Sequence, residues 1–358
     1  MLRDGLDDGT HVGWMLNDHS SERTSPVSPS RGDGRLWAII LAGGEGVRLR
    51  PLVRLVCGDD RPKQYVPLLG SRSLLQETLD RVALRIPAER TVIVTMQSHA
   101  PYMSELVSHR EAAHVLAQPR DRGTAAAILL PAHWIAWRDP EATVAVFPSD
   151  HFVLGESAFM EHVAGIAEWI DRHPARICLL GAQPGGPETE YGWIEPGEVL
   201  DGEKTGLIRQ VRRFWEKPSE AMARACLNLG ALWNTFVIVA KVATLVNAGY
   251  ECLPTMSERL GHMEPFDGTA EEAWAVQQAY SLMPTVNFSR SILAPCPPYL
   301  AVSMLPRITW SDLGTPRRVL GVLRRLRVRP PWLRSQAAQA QLSSLEQITP
   351  DDPATLGV

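Results

Sequence analysis

Segment 41–51, LAGGEGVRLRP, contains residue types that bind phosphate, and it directly follows a short apolar run. Gly43, Gly44 and Gly46 allow backbone amides to approach a phosphate chain, because glycine has no Cβ to obstruct the contact. Arg48 adds a fixed positive charge where a polyphosphate would lie. The segment lacks the third glycine of a dinucleotide-binding fingerprint and the Gly-Lys-Ser/Thr of a Walker loop. It therefore predicts a phosphate-binding turn of another kind, and an ordinary structural turn is the alternative.

Three charged residues outside this segment could belong to the same phosphate-binding site. Asp150 follows the apolar run 143–147, where the carboxyl end of a parallel strand places ligand-binding groups. A helix cap is the alternative role for such an aspartate. Glu216 and Lys217 offer a carboxylate that can bind hydroxyl groups and an ammonium that can reach a phosphate. At the surface they would form only a solvated ion pair, and residue type alone leaves both interpretations open.

Apolar strands and amphipathic helices alternate along the chain and would position these residues. Strands are predicted at 36–41, 91–95, 143–147 and 177–181, and helices at 73–84, 124–137 and 158–170. This order predicts an α/β fold with a Rossmann-like, mostly parallel mixed sheet flanked by helices. After about residue 190 the pattern loosens into short β-like pieces, which we expect to form a small antiparallel portion over the site. Further helices are predicted at 219–229, 241–248 and 271–281.

Composition excludes several classes of protein. With 358 residues, 45% hydrophobic and 21% charged, the chain matches a globular protein that buries a substantial core. A net charge of −4 and a pI near 6.2 provide no general attraction for nucleic acid or an anionic membrane. The five cysteines show no paired spacing suited to zinc, so reduced cysteines in a cytoplasmic protein are expected. No run approaches the roughly 18 apolar residues of a membrane span, and no signal-peptide pattern is present, so no integral membrane association is expected.

Three regions are predicted along the chain. Residues 1–34, rich in Ser, Asp, Gly, Arg and Pro, are expected to be a disordered leader. Residues 35–318 would form the catalytic domain, and residues 319–358 a basic helix and a C-terminal tail. The stretch 315–332, TPRRVLGVLRRLRVRPPW, is predicted to be helical and carries many arginines. These arginines are interpreted as a solvated helix face or as a subunit contact in a homo-oligomer, and a membrane or partner site is the alternative.

Several motifs, in chain order, resemble those of the sugar-1-phosphate nucleotidyltransferases. The glycine-rich segment and the following Arg61-Pro62-Lys63-Gln64-Tyr65 are similar to that family's G-G-x-G-T-R-L-x-P-L and P-K-Q-F signatures. Further matches are QPRDRGTA (118–125), FPSDH (147–151), PETEYGWI (187–194), FWEKP (214–218), LWNTF (232–236) and WSDLG (310–314). The resemblance extends from residue 36 to about residue 316, and it is greatest to the bacterial mannose-1-phosphate guanylyltransferase branch.

The resemblance implies a nucleotide-diphospho-sugar transferase fold of the GT-A type. It also implies transfer of a nucleotidyl group from GTP to a hexose 1-phosphate, with α-D-mannose 1-phosphate as the expected acceptor and GDP-mannose and pyrophosphate as the products. The alternative is the same chemistry with another sugar 1-phosphate or another nucleoside triphosphate. The attacking phosphate monoester is already largely dianionic at neutral pH, since its second pKa is about 6, so no general base is needed. Repulsion between two anionic reactants is the obstacle, and cations with Mg²⁺ would relieve it. The retained charged residues favour this reaction over the alternative of a non-catalytic, regulatory nucleotide-sugar-binding protein.

By the same resemblance, each matching position has an expected role. Arg48 would hold the leaving phosphates, and Lys63 would contact phosphates at the reacting centre. Asp150 and Asp312 would hold Mg²⁺, and Lys217 would bind the phosphate of the sugar. The expected nucleotide-binding residues are Leu41, Ala42, Gly43, Gly44, Gly46, Gln118, Gly123 and Thr124, and the expected sugar-binding residues are Gly192, Glu216 and Asn234.

Departures from the family pattern affect the phosphate loop and the sugar pocket. Val47 replaces a threonine, Glu190 replaces the glycine before Tyr-Gly, and Thr235-Phe236 replaces Ser-Gly. These changes affect the prediction of the acceptor sugar more than the prediction of the reaction type. The sequence also does not determine which nucleobase is bound. The tryptophans expected either to wall the sugar pocket or to pack in the core are Trp193, Trp215 and Trp233. The chain ends too early for the isomerase-type domain of bifunctional relatives, so isomerase activity is not expected.

Overall fold

A computed structural model describes residues 35–107, 113–202 and 207–334. The predicted leader, 1–34, and the end of the predicted tail, 335–358, lie outside those residues. The strands are β1 (Leu36–Leu41), β2 (Thr91–Met96), β3 (His114–Gln118), β4 (Thr143–Pro148), β5 (Phe152–Leu154), β6 (Ile177–Ala182), β7 (Gly192–Asp201), β8 (Ile208–Glu216), β9 (Leu232–Lys241), β10 (Leu300–Met304) and β11 (Thr309–Ser311). The α-helices are α1 (Arg50–Cys57), α2 (Leu74–Ala83), α3 (Ala100–Val107), α4 (Gly123–Arg138), α5 (Glu156–Arg172), α6 (Glu220–Asn228), α7 (Val242–Cys252), α8 (Pro254–Gly261), α9 (Glu272–Ser281) and α10 (Pro316–Leu326).

Nine strands of the described chain form one mixed sheet in the order β3-β2-β1-β4-β9-β6-β10-β8-β7. β1, β2, β3 and β4 are parallel to one another, and β6 is parallel to β10. β9 is antiparallel to β4 and β6, and β8 is antiparallel to β10 and β7. Within the described residues, β8 and β9 therefore run opposite to the other strands of this sheet. The predicted α/β fold with a mostly parallel mixed sheet is confirmed, and its antiparallel portion is built from β7, β8 and β9.

Strand β1 shows why these strands appear in the sequence as continuous apolar runs. Its side chains alternate between two core clusters, with Ile39 in one and Ala38 and Ile40 in the other. Helices α4, α7 and α8 contribute to the first cluster, and α2 and α5 to the second. Both faces of the sheet are therefore covered, which removes the polar positions that a half-exposed strand would show.

The predicted strands at 36–41, 91–95, 143–147 and 177–181 are present as β1, β2, β4 and β6. Periodicity missed β9, although it lies at the centre of the sheet between β4 and β6. Its register with β6 shifts between Leu179 and Gly181. The sequence LWNTFVIVAK begins with polar and aromatic residues at this irregularity, so it does not present a simple apolar run.

A third apolar cluster joins the glycine-rich segment to helix α10. Leu49 and Leu52 pack in this cluster together with Leu313 and Val319. The boundary predicted after residue 318 therefore falls inside a helix that packs against the phosphate loop. Arg324 and other basic residues near the end of α10 are exposed, as expected for a solvated face.

None of the helices in the described ranges combines the length and apolarity needed to cross a bilayer.

Candidate active site

The glycine-rich segment leaves the end of β1 and is braced by the side chain of Gln64. The amide Nε2 of Gln64 donates to Ala42 O at 2.7 Å and to Gly44 O at 3.0 Å. The backbone of Leu41 accepts a hydrogen bond from Ser149 N at 3.2 Å. Because Ser149 lies just after β4, these contacts fix the start of the predicted phosphate-binding turn beside the end of that strand.

Gly46 brings this turn against Lys63. The φ angle of Gly46 is +59°, and a Cβ there would lie 3.1 Å from both Cβ and Cγ of Lys63. Glycine suits the position because it adopts positive φ without strain and needs no room for a side chain. A Cβ on Gly43 would lie 3.2 Å from Nε2 of Gln118, whereas one on Gly44 would meet nothing within 4 Å. The turn is therefore packed at both ends and open in the middle.

Lys63 joins the two aspartates that the sequence predicts to hold a metal ion. Its Nζ lies 3.0 Å from Oδ2 of Asp150 and donates to the backbone O of Asp312 at 2.8 Å. The side chain of Lys63 is 11% exposed and that of Asp150 is 22% exposed. Burial lowers the pKa of the neighbouring His151 to about 4, so its imidazole is neutral at pH 7. The structure thus brings Lys63, Asp150 and Asp312 together beside the glycine-rich turn.

The carboxylate of Asp312 is enclosed by donors from the protein. The Tyr191 hydroxyl donates to Oδ1 at 2.8 Å, and the Gly314 amide donates to the same oxygen at 2.9 Å. Nη1 of Arg318 lies 3.0 Å from both carboxylate oxygens. Burial raises the pKa of Asp312, but the charges of Arg318 and Lys63 outweigh it and lower that pKa to about 2. Asp312 is therefore an ionised carboxylate paired with a buried arginine.

Backbone strain is concentrated in loops of this site. Among the described residues, the non-glycine residues with positive φ are Lys217 (49°), Phe236 (61°), Leu313 (48°) and Arg327 (54°). The left-handed region costs such residues about 1–2 kcal/mol each, so it persists only where the surroundings enforce it. The first three lie within two residues of Glu216, Asn234 and Asp312, which are predicted site residues. Arg327 instead ends helix α10.

The three predicted sugar-binding residues meet at one place. Strand pairing sets Gly192 opposite Glu216. A Cβ on Gly192 would lie 3.2 Å from Asn234 Cβ and 3.2 Å from Glu216 Oε2. Burial raises the pKa of Glu216, and the charge of Lys217 opposes that shift. A carboxylate and an amide thus lie on either side of a glycine, at the antiparallel part of the sheet.

The neighbouring tryptophans belong mainly to the core. Trp193 and Trp233 are fully buried and pack edge to face, with ring centroids 6.1 Å apart. Trp215 is partly buried and packs against the same core cluster. Of the two roles that the sequence left open, core packing is therefore correct for Trp193 and Trp233.

Glu190 links the two predicted phosphate-binding cations outside the reacting centre. Its Oε2 lies 2.8 Å from Nη1 of Arg48 and 3.8 Å from Nζ of Lys217. The side chains of all three residues are nearly half exposed, at 49%, 47% and 47% for Arg48, Glu190 and Lys217. This carboxylate stands where the resembled family has a glycine, so it adds a negative charge between two positive ones.

The predicted nucleobase-binding residues are tied to a later part of the chain. The Tyr280 hydroxyl donates to Oε1 of Gln118 at 3.1 Å, and Gln118 is buried. The hydroxyl of Thr124 accepts a hydrogen bond from Phe288 N at 2.9 Å. Gln118, whose Nε2 adjoins Gly43 of the glycine-rich turn, is thus linked to helix α9 through Tyr280. Thr124 links the start of α4 to the backbone at Phe288.

Replacing Gly123 with alanine is expected to destabilise the protein by at least about 2 kcal/mol. Gly123 has φ +78°, and a Cβ there would lie 2.3 Å from the carbonyl oxygen of Val286. That oxygen also accepts a hydrogen bond from Ala125 N at 3.1 Å, so it is not free to move away. Urea unfolding followed by circular dichroism measures the change. Gly70→Ala is the matched control, because a Cβ on Gly70 would meet nothing within 4 Å; equal stability of the two variants would contradict the prediction.

Four residues that build this site had no role assigned from the sequence: Gln64, Glu188, Tyr191 and Arg318. The first three lie inside the family-like motifs, so motif position was an available signal. Arg318 lies in the helix interpreted as solvated, and it is only 3% exposed. Its place on the buried face of α10, beside Val319 and Val322, was the signal that could have identified it.

Comparisons with known proteins show to which family the chain is similar. A family model described as nucleotidyl transferase matches residues 37–327. The mannose-1-phosphate guanylyltransferase of Escherichia coli K12 is 31% identical over 206 residues, which are 56% of this chain and 42% of the relative. That of Sinorhizobium fredii is 27% identical over 310 residues, which are 84% of this chain and 58% of the relative. A crystal structure described as mannose-1-phosphate geranyltransferase from Thermus thermophilus has a TM-score of 0.69 at 29% identity, covering 83% of this chain and 80% of that chain.

The chain belongs to the nucleotidyl transferase family, because the family model matches most of its length. Within that family it is similar to the mannose-1-phosphate guanylyltransferases. The chain spans about two fifths to three fifths of the length of these curated relatives.

Proposed function

We propose that the protein transfers the guanylyl group of GTP to α-D-mannose 1-phosphate, which yields GDP-mannose and pyrophosphate. The observation that carries the proposal is the convergence of Lys63, Asp150 and Asp312 beside an open glycine-rich turn. Completed by a divalent cation, such a cluster would suit a reaction between two phosphate groups, because the main obstacle to that reaction is the repulsion of like charges. The choice of guanine and mannose is supported by the names of the similar proteins.

The position of each polar or charged residue determines its role in this reaction. An oxygen of the sugar phosphate attacks the α-phosphorus of the nucleotide in line with the departing pyrophosphate. Lys63, which is nearly buried, neutralises charge at the reacting centre, where a cation is screened little by water. Arg48, on the glycine-rich turn, binds the leaving phosphates. Lys217 holds the phosphate of the sugar, and Glu216 and Asn234 bind its hydroxyl groups.

A divalent cation fits this site through Asp150. The carboxylate is partly exposed, adjoins the glycine-rich turn, and contacts a single lysine at 3.0 Å. Mg²⁺ is commonly bound by one or two carboxylates together with substrate phosphates, so a preformed cage of protein ligands is not required. No group of three or more acidic, histidine or cysteine ligands occurs in the described ranges. When bound, the ion would supply positive charge next to the α-phosphate.

A matrix of substrates tests the proposed function. Purified protein with Mg²⁺ is incubated with each pairing of GTP, ATP, UTP or dTTP with mannose, glucose or galactose 1-phosphate, and pyrophosphate release is measured. We expect the highest kcat/KM for GTP with mannose 1-phosphate, and GDP-mannose as the product by mass spectrometry. Turnover of another pair would support the same reaction type with a different substrate. No turnover of any pair would contradict the enzymatic function and favour a regulatory nucleotide-sugar-binding protein.

Replacing Glu190 with glutamine is expected to lower the KM for the nucleoside triphosphate by about two- to five-fold. In the wild type, Arg48 exchanges this carboxylate for phosphate oxygens when the nucleotide binds. An exposed ion pair is worth roughly 0.2–1 kcal/mol, and the upper part of that range, about 0.4–1 kcal/mol, corresponds to a two- to five-fold change in affinity. Initial rates at saturating sugar phosphate measure the change.

Glu220→Gln is the control for this variant. Glu220 is also an exposed glutamate paired with an arginine, Arg224 at 2.7 Å, but it lies on helix α6 rather than between the phosphate-binding cations. Its neutralisation is expected to leave the KM unchanged. A KM of the Glu190 variant that equals or exceeds the wild-type value would contradict the proposed competition.

A further inference from the structure

The Asp312 carboxylate has most of its hydrogen-bonding capacity filled by the protein. Its Oδ1 accepts from the Tyr191 hydroxyl, the Gly314 amide and Nη1 of Arg318, at 2.8, 2.9 and 3.0 Å. Its Oδ2 accepts from the same Nη1 at 3.0 Å. A carboxylate has about four acceptor sites, two on each oxygen, and only one of the two on Oδ2 is used by these contacts. One position on Oδ2 is therefore left for any further partner.

Gly314 adjoins Oδ2 of Asp312. A Cβ added to Gly314 would clash with this oxygen and would also lie 3.1 Å from Nη1 of Arg318, so the space beside Oδ2 is narrow. The Asp312 side chain is 12% exposed. Mg²⁺ needs oxygen ligands at about 2.0–2.1 Å in near-octahedral geometry and keeps several waters. The surroundings of Oδ2 leave little room for such a coordination sphere.

Arg318 is held in this place by more than Asp312. Its Nη2 lies 2.6 Å from Oε2 of Glu188, and its side chain is 3% exposed. The guanidinium also lies over the ring of Tyr191, 4.5 Å from the centroid. Moving it away would leave two poorly exposed carboxylates without a cation, which is strongly unfavourable in a buried site. Arg318 is therefore a fixed component of the site.

Asp150 presents a different environment to a cation. Its Oδ2 contacts Lys63 Nζ at 3.0 Å, whereas its Oδ1 lies 3.8 Å from Nε2 of His151, too far for a hydrogen bond. The side chain is 22% exposed, compared with 12% for Asp312. Of the two aspartates, Asp150 thus has the more accessible carboxylate, and no arginine in the described part of the chain forms an ion pair with it.

We propose that Arg318 is the permanent cation of the Asp312 carboxylate, and that Asp150 is the protein ligand of the divalent ion. Asp312 is then a positioning residue, whose backbone carbonyl orients the Lys63 ammonium at 2.8 Å. This assignment departs from the sequence resemblance, which implies that both aspartates hold Mg²⁺. It rests on the proposed function, since the ion is taken to bind together with the nucleotide.

Binding of Mn²⁺ tests the assignment without turnover. Proton relaxation enhancement reports Mn²⁺ bound to protein in the presence of GTP and without sugar phosphate. Asp150→Asn is expected to weaken this binding by about tenfold or more. Asp312→Asn keeps the shape of the side chain and is expected to change it by less than about threefold, while lowering the Tm by about 5–15 °C. An equal loss of Mn²⁺ binding in both variants, with both folded by circular dichroism, would overturn the proposal.

A second variant keeps the test decisive if Asp312→Asn does not fold. The triple variant Asp312→Asn, Arg318→Met and Glu188→Gln removes the guanidinium together with both carboxylates that pair with it, so none of the three is left as an unpaired buried charge. We expect its Mn²⁺ affinity to stay within about threefold of the wild type, and a tenfold loss would refute the assignment. Its Tm is expected to exceed the value that addition of the single effects predicts.

Catalytic rates separate a positioning role from a purely structural one. Asp312→Asn is expected to lower kcat by about ten- to a hundred-fold, because the Lys63 ammonium would no longer be held in the correct position. The KM for sugar phosphate is expected to change by less than about threefold. An unchanged kcat would remove the positioning role. Wild-type protein that shows no Mn²⁺ enhancement with GTP would contradict the proposed function itself. In that case the non-additive change in Tm would still test the pairing of Asp312 with Arg318.

Discussion

Replacing Asp150 with asparagine is expected to lower kcat by about 10³-fold or more, which corresponds to roughly 4 kcal/mol of lost transition-state stabilisation. Asparagine keeps the shape of the side chain but removes the negative charge that would hold a divalent ion against the α-phosphate. The change also leaves Lys63 with the carbonyl of Asp312 as a hydrogen-bond acceptor. The fold is therefore expected to persist, with a lower Tm than the wild type because the nearly buried Lys63 loses its carboxylate partner.

The chain contains a matched control for this variant. Asp171 also pairs with a lysine, Lys241, at 2.6 Å, and its carboxylate accepts from the Thr143 hydroxyl at 2.7 Å. Thr143 begins strand β4, whereas Asp150 follows the end of that strand, so the two carboxylates lie at opposite ends of it. Asp171→Asn is expected to leave kcat within about twofold, because neutralising a carboxylate far from the site affects the reaction only weakly. Unaltered turnover of Asp150→Asn in the same assay would remove Asp150 from the mechanism.

The fold was largely predictable because its central strands are buried on both faces. Strand β1 supplies Ile39 to one core cluster and Ile40 to the other, and this produces the uninterrupted apolar run seen in the sequence. Strand β9 was not predictable in the same way. Its first residues include Asn234, which belongs to the candidate site, and its register is irregular against β6. A strand that also carries functional residues loses the simple apolar pattern on which prediction depends.

The convergence of the site could be inferred only from motif resemblance. Lys63 and Asp312 are 249 positions apart, and no local pattern indicates that the ammonium of one contacts the carbonyl of the other. The resemblance assigns Gly192, Glu216 and Asn234 to one sugar-binding group, and the structure places the three residues next to one another. Their binding of a sugar stays a prediction. Positions could be carried over from relatives because the sheet fixes where each strand ends.

The partners of individual charges could not be inferred. Arg318 was interpreted as part of a basic, solvated helix, because the number of arginines in that helix conceals the one that faces inward. It is buried and binds both Asp312 and Glu188. Glu190 was recognised as a departure from the family pattern, but its contacts with Arg48 and Lys217 depend on the meeting of separate loops. Side-chain pairing of this kind is set by tertiary structure and leaves no periodic signal.

Replacing Lys63 with methionine is expected to lower kcat by about 10²–10³-fold, because a preorganised donor at the reacting centre contributes roughly that much. Methionine has a similar length and fills the space against Gly46, but it carries no charge. The loss should appear in kcat more than in the KM of the nucleotide, since the contacts proposed for Arg48 and the glycine-rich turn with the outer phosphates would be retained. Steady-state kinetics with GTP and mannose 1-phosphate measure both constants.

Lys241→Met is the control for this variant, because Lys241 has the same kinds of partner at the other end of the sheet. Its Nζ lies 2.6 Å from Asp171 Oδ1 and donates to the Glu141 carbonyl at 3.1 Å, just as Lys63 contacts one carboxylate and one backbone carbonyl. The two lysine side chains are also similarly buried, at 16% and 11% exposed. Both variants remove a lysine from a carboxylate and a carbonyl, so loss of kcat in the Lys63 variant alone would reflect chemistry at the site. Equal losses in both variants would instead mean that the ammonium of Lys63 acts through stability of the fold.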